Sequence, residues 1–226
     1  MIIGRGLIAG IFAQYDEDDL LIFASGVSNS LEVRAAEFER EKSLLINSLN
    51  SYPDKKIIYF STCSICDPSK EESPYVLHKL AMEQLIEKHA DRYIILRVGN
   101  VVGHGGNPNT LFNFLSNCIR NDLHFTLHSK AGRILIDAEH IPLFFDAVNS
   151  QNSKALISVS YPHQFSLYEI VGALEQFYSK KANFTSKEEG DRYDIEFSDE
   201  VISYFKDISP ADYLQGLVQK YATPVH

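Results

Sequence analysis

Short apolar runs alternate along this chain with longer segments whose apolar residues fall on one side of a helix. Met1-Ile2-Ile3, Leu20-Leu21-Ile22-Phe23-Ala24, Lys56-Ile57-Ile58-Tyr59-Phe60, Tyr93-Ile94-Ile95-Leu96-Arg97-Val98, Ile134-Leu135-Ile136 and Ala155-Leu156-Ile157-Ser158-Val159 read as strands. They are short and nearly continuous in apolar residues, as strands covered on both faces are. Between them Leu7 to Tyr15, Leu31 to Leu49 (apolar at Val33, Ala36, Leu44, Leu45 and Leu49), Pro74 to His89, Leu111 to Ile119 and His140 to Val148 read as helices. A further helix is expected to run to Tyr178 from an N-cap at Ser166, with helical pieces around Val201 to Phe205 and Ala211 to Tyr221. Strands alternating with helices predict a parallel sheet with helices on both faces. The sequence shows no internal repeat, low-complexity tract or linker.

Composition narrows the class. A chain of 226 residues, 45% apolar, can bury a full core as one domain over residues 1–226. Its net charge is −9, with no Lys/Arg run, so neither nucleic acid nor an anionic membrane is an expected partner. The apolar runs are too short to span a bilayer, and no charged-then-apolar leader is evident. The expectation is a soluble cytoplasmic protein. Three cysteines make no disulfide framework. Cys63-Ser64-Ile65-Cys66 is formally a C-x-x-C. A redox pair wants a helix N-terminus in a thioredoxin-like unit, and zinc wants a second ligand pair. Cys118 stands alone and the histidines are scattered, so the pair is expected to be structural and no metal is expected. Phe125 and Leu127 put His124 and His128 on a strand or loop, as structural or substrate-contacting residues.

Candidate chemistry starts at Tyr75-Val76-Leu77-His78-Lys79. Four residues apart on a helix, the phenol and the ammonium share one face. A cation beside a tyrosine favours the phenolate and lets it pass a proton near neutral pH. The strand before this helix ends in Ser61-Thr62, whose threonine hydroxyl could hydrogen-bond the same substrate oxygen. That trio suits hydride exchange between a carbinol and a ketone. At the start of the chain, Gly4-Arg5-Gly6-Leu7-Ile8-Ala9 gives a G-x-G-x-x-G/A turn between strand and helix. Such a turn lets the backbone approach a pyrophosphate; an ordinary strand-to-helix turn reads the same way.

Taken in order, these pieces resemble the extended short-chain dehydrogenase/reductase superfamily, and within it the NAD-dependent epimerase/dehydratase family that acts on nucleotide sugars. Gly4, Gly6 and Ala9 match the cofactor turn, and Ala24-Ser25-Gly26 the segment lining the cofactor after a strand. Ser61-Thr62 matches the strand end carrying the catalytic hydroxyl; Tyr75 and Lys79 match the catalytic pair. Leu96-Arg97-Val98-Gly99-Asn100-Val101-Val102-Gly103 is similar to a block whose asparagine faces substrate, and is followed by the polar loop Gly103 to Asn109, Gly106 included. Arg133-Ile134-Leu135-Ile136-Asp137 resembles, in compressed form, a region near the nucleotide diphosphate.

The resemblance implies a Rossmann-like doubly wound fold, with residues 1–130 as the cofactor-binding and catalytic part and 131–226 as mainly the substrate-binding part. It implies NAD or NADP as cofactor, contacted by Gly4, Gly6, Leu7, Ile8, Ala24, Ser25, Gly26, Ser61, Tyr75 and Lys79. Lys79 would lower the phenol's pKa and bind the nicotinamide ribose. Ser28, Asn29, Asn100 and Arg133 are candidates for holding a nucleotide-sugar substrate. Surface polysaccharide synthesis is a common setting for the family.

One departure is large. Where relatives place two further strand–helix units after the first helix, only Gln14-Tyr15-Asp16-Glu17-Asp18-Asp19 intervenes, read as a solvated loop. The adenosine side is therefore expected to be cut away, cofactor binding weakened, and the first strand left at a sheet edge that a second subunit of a homodimer could cover. Cys63-Ser64 stands where dehydratases carry an acid pair, which disfavours elimination. The expected activity is keto-sugar reduction. A nucleotide-sugar epimerase is the alternative, and a non-catalytic nucleotide-binding or interaction protein the third reading.

Overall fold

The computed structural model describes residues 1–105, 107–150 and 153–223, so Gly106 of the polar loop lies outside the described residues. In chain order the first half contains β1 (Ile2–Ile3), α1 (Leu7–Ile11), β2 (Leu20–Phe23), α2 (Ala35–Ser51), β3 (Lys56–Thr62), α3 (Pro74–His89), β4 (Tyr93–Val98), β5 (Asn100–Val102) and α4 (Leu111–Arg120). The second half contains β6 (Phe125–His128), β7 (Gly132–Arg133), β8 (Leu135–Asp137), α5 (Ile141–Asn149), β9 (Lys154–Val159), β10 (Phe165–Ser166), α6 (Leu167–Tyr178), β11 (Phe184–Lys187), α7 (Asp199–Phe205) and α8 (Pro210–Tyr221).

Five strands form the central sheet in the order β1-β2-β3-β4-β9, every neighbouring pair parallel. Ile22, Ile58 and Ile94 stand side by side in register. With Leu20, Phe60 and Leu96 they face a core shared with α4, α5, α6 and α8. The intervening residues Leu21, Phe23, Ile57, Tyr59 and Ile95 point to the other face, against Leu45 of α2 and Met82 and Ile86 of α3. Period-two alternation with apolar residues at both phases is what makes a strand buried on both sides. The expected fold class is therefore the observed one. β1 closes one edge of the sheet, as expected from the missing units, and Asp16 to Asp19 is an exposed loop.

Element boundaries differ in three places. The helix expected over Leu7 to Tyr15 stops at Ile11 and continues as a 3-10 turn, Ala13–Tyr15. Gly10 weakens the helix, and Phe12 leaves helical geometry to bury its ring completely. The helix expected from Leu31 begins at Ala35, because Glu32 accepts the N–H groups of Val33 and Arg34 and turns the chain first. The strand expected at Ile134-Leu135-Ile136 is split: β7 pairs with β10 and β8 with β5. No helix among the described residues is long and apolar enough to cross a membrane.

Candidate active site

Parallel strands end on the same side of a sheet, and the crevice beyond those ends is where α/β folds bind ligands. Here β2 ends into Ala24-Ser25-Gly26 and β3 ends at Thr62. Pro74 occupies the first turn of α3 with its fixed φ, which starts the helix beside the end of β3. A cavity of about 930 Å³ opens there. Gly6, Leu7, Ile8, Ala24, Ser25, Gly26, Ser61, Thr62, Tyr75 and Lys79 all line it.

Thr62 and Tyr75 come together in the cavity wall, close enough for the threonine hydroxyl to favour the ionised phenol. The phenol is buried, and burial pushes its pKa well up, a rise that Thr62 offsets only in part and that Glu41, Tyr193 and Cys63 reinforce. Lys79 is buried and donates to Glu41 Oε1 at 3.0 Å, to the Tyr59 hydroxyl at 3.1 Å and to the Phe60 carbonyl at 3.4 Å. An ammonium has three donors, so Lys79 has none left for a ribose in this arrangement. Glu41 also accepts from the Tyr59 hydroxyl at 2.6 Å and the Val27 N–H at 2.6 Å, and lies 3.0 Å from His78 Nε2. Burial alone would raise the Glu41 pKa, but Lys79 and these hydrogen bonds outweigh it and hold the carboxyl at about 2.

The remaining candidates divide. Ser28 and Asn100 line the cavity; the Ser28 hydroxyl accepts from Asn107 Nδ2 and the Asn100 amide donates to the Ile134 carbonyl. Asn29 does not line it: its side chain caps the Leu31 N–H within its own loop. Nor does Arg133, whose guanidinium donates to the Gly132 carbonyl and faces buried Asp67 at 3.6 Å. Asp137 of the same segment is held by Tyr221 and Lys220. Gly4 also lies outside the cavity lining. It has φ +136°, and a Cβ on it would stand 2.3 Å from the Ala24 carbonyl oxygen, so its bare Cα lets the turn pack on the end of β2. Ser61 is in the wall, but its hydroxyl donates to Glu83, the carboxylate that Arg97 grips at 2.9 and 2.6 Å.

Four site residues escaped the sequence reading: Arg5 and Arg40 of the cavity lining, Glu41 and Tyr193. Glu41 shares a helix face with buried Leu45 and Ser48, and an acid in an apolar stripe is the signal that could have found it. Tyr193, in the segment after β11, lines the cavity beside Ser64; Gln164 brackets its backbone N–H and C=O. The three cysteines are free thiols. Cys63 donates to the Arg97 carbonyl, and burial pushes its thiol pKa well up, which leaves it unreactive.

The donor set suits an anionic, hydroxyl-rich ligand. Arg5 and Arg40 line the cavity with the hydroxyls of Thr62 and Tyr75. At Gly6 an added Cβ would meet nothing within 4 Å, so a ligand can reach the backbone at the start of α1. These residues fit the nicotinamide and diphosphate part of a dinucleotide. Among the described residues no strand continues the sheet beyond β1 to wall in an adenosine.

The sequence pattern of the NAD dependent epimerase/dehydratase family matches residues 14–131. No curated protein matches the sequence. Among solved structures, the chain is similar to UDP-glucose 4-epimerase of Thermus thermophilus in complex with NAD, at 16% identity and a TM-score of 0.68, over 96% of this chain and 83% of that one. It is similar to dTDP-glucose 4,6-dehydratase of Bacillus anthracis str. Ames in complex with NAD, at 14% identity and a TM-score of 0.69, over 97% of this chain and 78% of that one. It is also similar to UDP-glucuronic acid 4-epimerase of Bacillus cereus in complex with UDP-glucuronic acid and NAD, at 17% identity and a TM-score of 0.70, over 93% of this chain and 76% of that one.

Proposed function

The chain belongs to the NAD-dependent epimerase/dehydratase family, and from that premise we propose that it is an NAD(P)-dependent reductase of a nucleotide-linked keto sugar. The observation that carries this reading is the placement of Thr62, Tyr75 and Lys79 in one cavity with the glycine turn, at the ends of the parallel strands. Reduction needs an acid at the carbonyl oxygen, and Tyr75 is the hydroxyl-bearing acid that the cavity holds beside Thr62. A carbinol oxidation, the first half of a 4-epimerase cycle, needs the phenolate.

Gly6, Leu7, Ile8 and Ala24 to Gly26 would hold the cofactor, with Arg5 and Arg40 countering its phosphates. The NAD in the three solved relatives supports NAD as that cofactor. When bound, the reduced nicotinamide supplies a hydride to the carbonyl carbon. Tyr75 gives its proton to the carbonyl oxygen: the phenolic O–H breaks, the carbinol O–H forms, and solvent returns the proton. Thr62 keeps the phenol aimed and shares its hydrogen bond with the substrate oxygen. Ser28 and Asn100 line the substrate side, with Tyr193 as the cavity residue that part 131–226 contributes among those described. Among the described residues the cavity lining holds no Asp or Glu to serve elimination, and Cys63 is a buried thiol.

Calorimetric titration with NADH, NADPH, NAD⁺ and NADP⁺ tests the reading. Binding of at least one is expected, followed by its oxidation in the presence of a nucleotide-linked keto sugar. Binding of none overturns it and leaves the non-catalytic reading. Tyr75→Phe is expected to lower turnover by at least about 10²-fold with cofactor affinity retained; full turnover in that variant rules out the phenol as acid. A 4-epimerase is the second reading, favoured by the two epimerases among the similar structures. Interconversion of two nucleotide sugars without net cofactor consumption would establish it instead. From the open edge of β1 we also propose a homodimer in which a second copy covers that strand; light scattering that gives only a monomer overturns this.

A further inference from the structure

Two cations mark the end of the cavity that lies at the edge of the sheet. Gly4, just after β1, packs against the Ala24 carbonyl and the Ser25 N–H, so Arg5 follows at that edge. Arg40 of α2 reaches the same place: its guanidinium donates to the Ser25 carbonyl at 3.2 and 3.3 Å, and its Nε–H to Glu37 at 3.2 Å. Both side chains line the cavity and both are exposed. Arg5 has no hydrogen-bond or ion-pair partner among the described residues. Acids are distributed the other way. A dinucleotide site of this fold grips the adenosine ribose with a carboxylate, yet among the described residues no Asp or Glu lines this cavity. The acids of the Asp16 to Asp19 loop precede β2 and so stand at the opposite ends of the strands. There Asp16 pairs with the chain's amino group at 2.9 Å and Asp19 with Arg92 at 2.9 Å. Glu32 and Glu37, nearer the cavity, are held by Arg34 and Arg40.

We propose that this site recognises its cofactor as a nicotinamide mononucleotide unit, with Arg5 and Arg40 gripping the phosphate end. The adenosine of a dinucleotide then projects past β1 into solvent. A guanidinium fork matches phosphate oxygens in geometry as well as charge. A phosphate monoester carries about −1.5 to −2 charges near neutral pH, close to the total on the diphosphate of a dinucleotide. The two arginines therefore meet nearly the same charge in either ligand. Two consequences follow from the edge position of β1. Adenosine adds no affinity, because no described wall buries its ring and no carboxylate accepts from its ribose. NADPH is not distinguished from NADH, because its extra phosphate sits on that same solvent-borne ribose, where salt screens charge over about 8 Å. The inference rests on the reductase reading only in placing a nicotinamide nucleotide in this cavity.

Binding alone tests this, without turnover. The protein is titrated with reduced nicotinamide mononucleotide, NADH and NADPH at one ionic strength, followed by the fluorescence of the reduced nicotinamide. Their Kd values are expected to agree within about threefold. A dinucleotide that binds at least about tenfold tighter than the mononucleotide overturns the proposal and leaves the reductase reading standing. Binding of none of the three overturns both. Saturation-transfer NMR with NADH is expected to mark the nicotinamide protons and leave the adenine ring protons unmarked; equal transfer to both rings overturns the proposal. Replacing both arginines, Arg5→Gln with Arg40→Gln, is expected to weaken all three ligands by at least about tenfold and by a common factor. Unchanged affinities in the folded double variant would assign the arginines to another anion, such as the diphosphate of the sugar substrate, and overturn the proposal. Should that variant fail to fold, the comparison of the three ligands on the unmodified protein still decides.

Discussion

Individual side chains here are constrained by what stands within a few ångströms. A methyl group on Gly4 would strike the Ala24 carbonyl, which is backbone and cannot swing aside, at a φ that side chains rarely adopt. Gly4→Ala is therefore expected to cost at least about 2 kcal/mol, read from the urea midpoint. Glu83 is buried, shared by Ser61 and the forked guanidinium of Arg97. Arg97→Leu would leave that carboxylate buried and uncompensated, for a loss of about 3–5 kcal/mol by the same measurement. The chemistry-bearing types at Thr62, Tyr75 and Lys79 were legible as a spacing. What Lys79 does with its charge was not, because its partner is 38 residues away and nothing in either local sequence announces the pairing. Arg133 and Asn29 stay outside the cavity lining for the same reason: a polar side chain takes whatever partner the fold brings closest, Asp67 for the one and the Leu31 N–H for the other.

At the scale of elements, local rules governed where helices begin. Ser166 accepts the Glu169 N–H while the Glu169 carboxylate takes the Ser166 N–H, a reciprocal cap that starts α6 where the sequence predicts it. Ser166→Ala is expected to lower stability by about 1 kcal/mol and to shift the thermal midpoint down without altering cofactor binding. Pro74 set the start of α3 in the same way. The boundaries that were misread depend on distant contacts. α1 ends early because Phe12 is drawn among Phe60, Phe145 and Tyr15. The start of α2 moves because the Glu32 carboxylate, itself held by Arg34, captures the N–H groups that a longer helix would have used.

Across the whole molecule, buried charge couples stability to pH. The Glu41 carboxyl falls from an ordinary 4.5 to about 2 in the folded protein. A depressed carboxylate contributes its stability above its unfolded pKa and loses it as pH falls toward the folded one. Urea midpoints are accordingly expected to drop between about pH 4.5 and pH 2, with Glu41 contributing on the order of 3 kcal/mol; an equally steep drop in Glu41→Gln would assign the effect elsewhere. The sequence by itself determined the alternation of buried strands and helices, the parallel sheet, the shortened adenosine side with β1 at its edge, and the hydroxyl–phenol–ammonium spacing. The alternation, the sheet and the spacing follow from periodicity and chain order, which act between near neighbours; the shortened adenosine side follows from the resemblance to the family, whose extra units the chain lacks. Only the tertiary structure decided that the phenol is buried, that the ammonium is matched by Glu41, and that Tyr193 reaches the cavity from far along the chain. Those facts depend on burial and on charges brought together by the packing of α2 and α3 on one sheet face, and such long-range terms have no local signature.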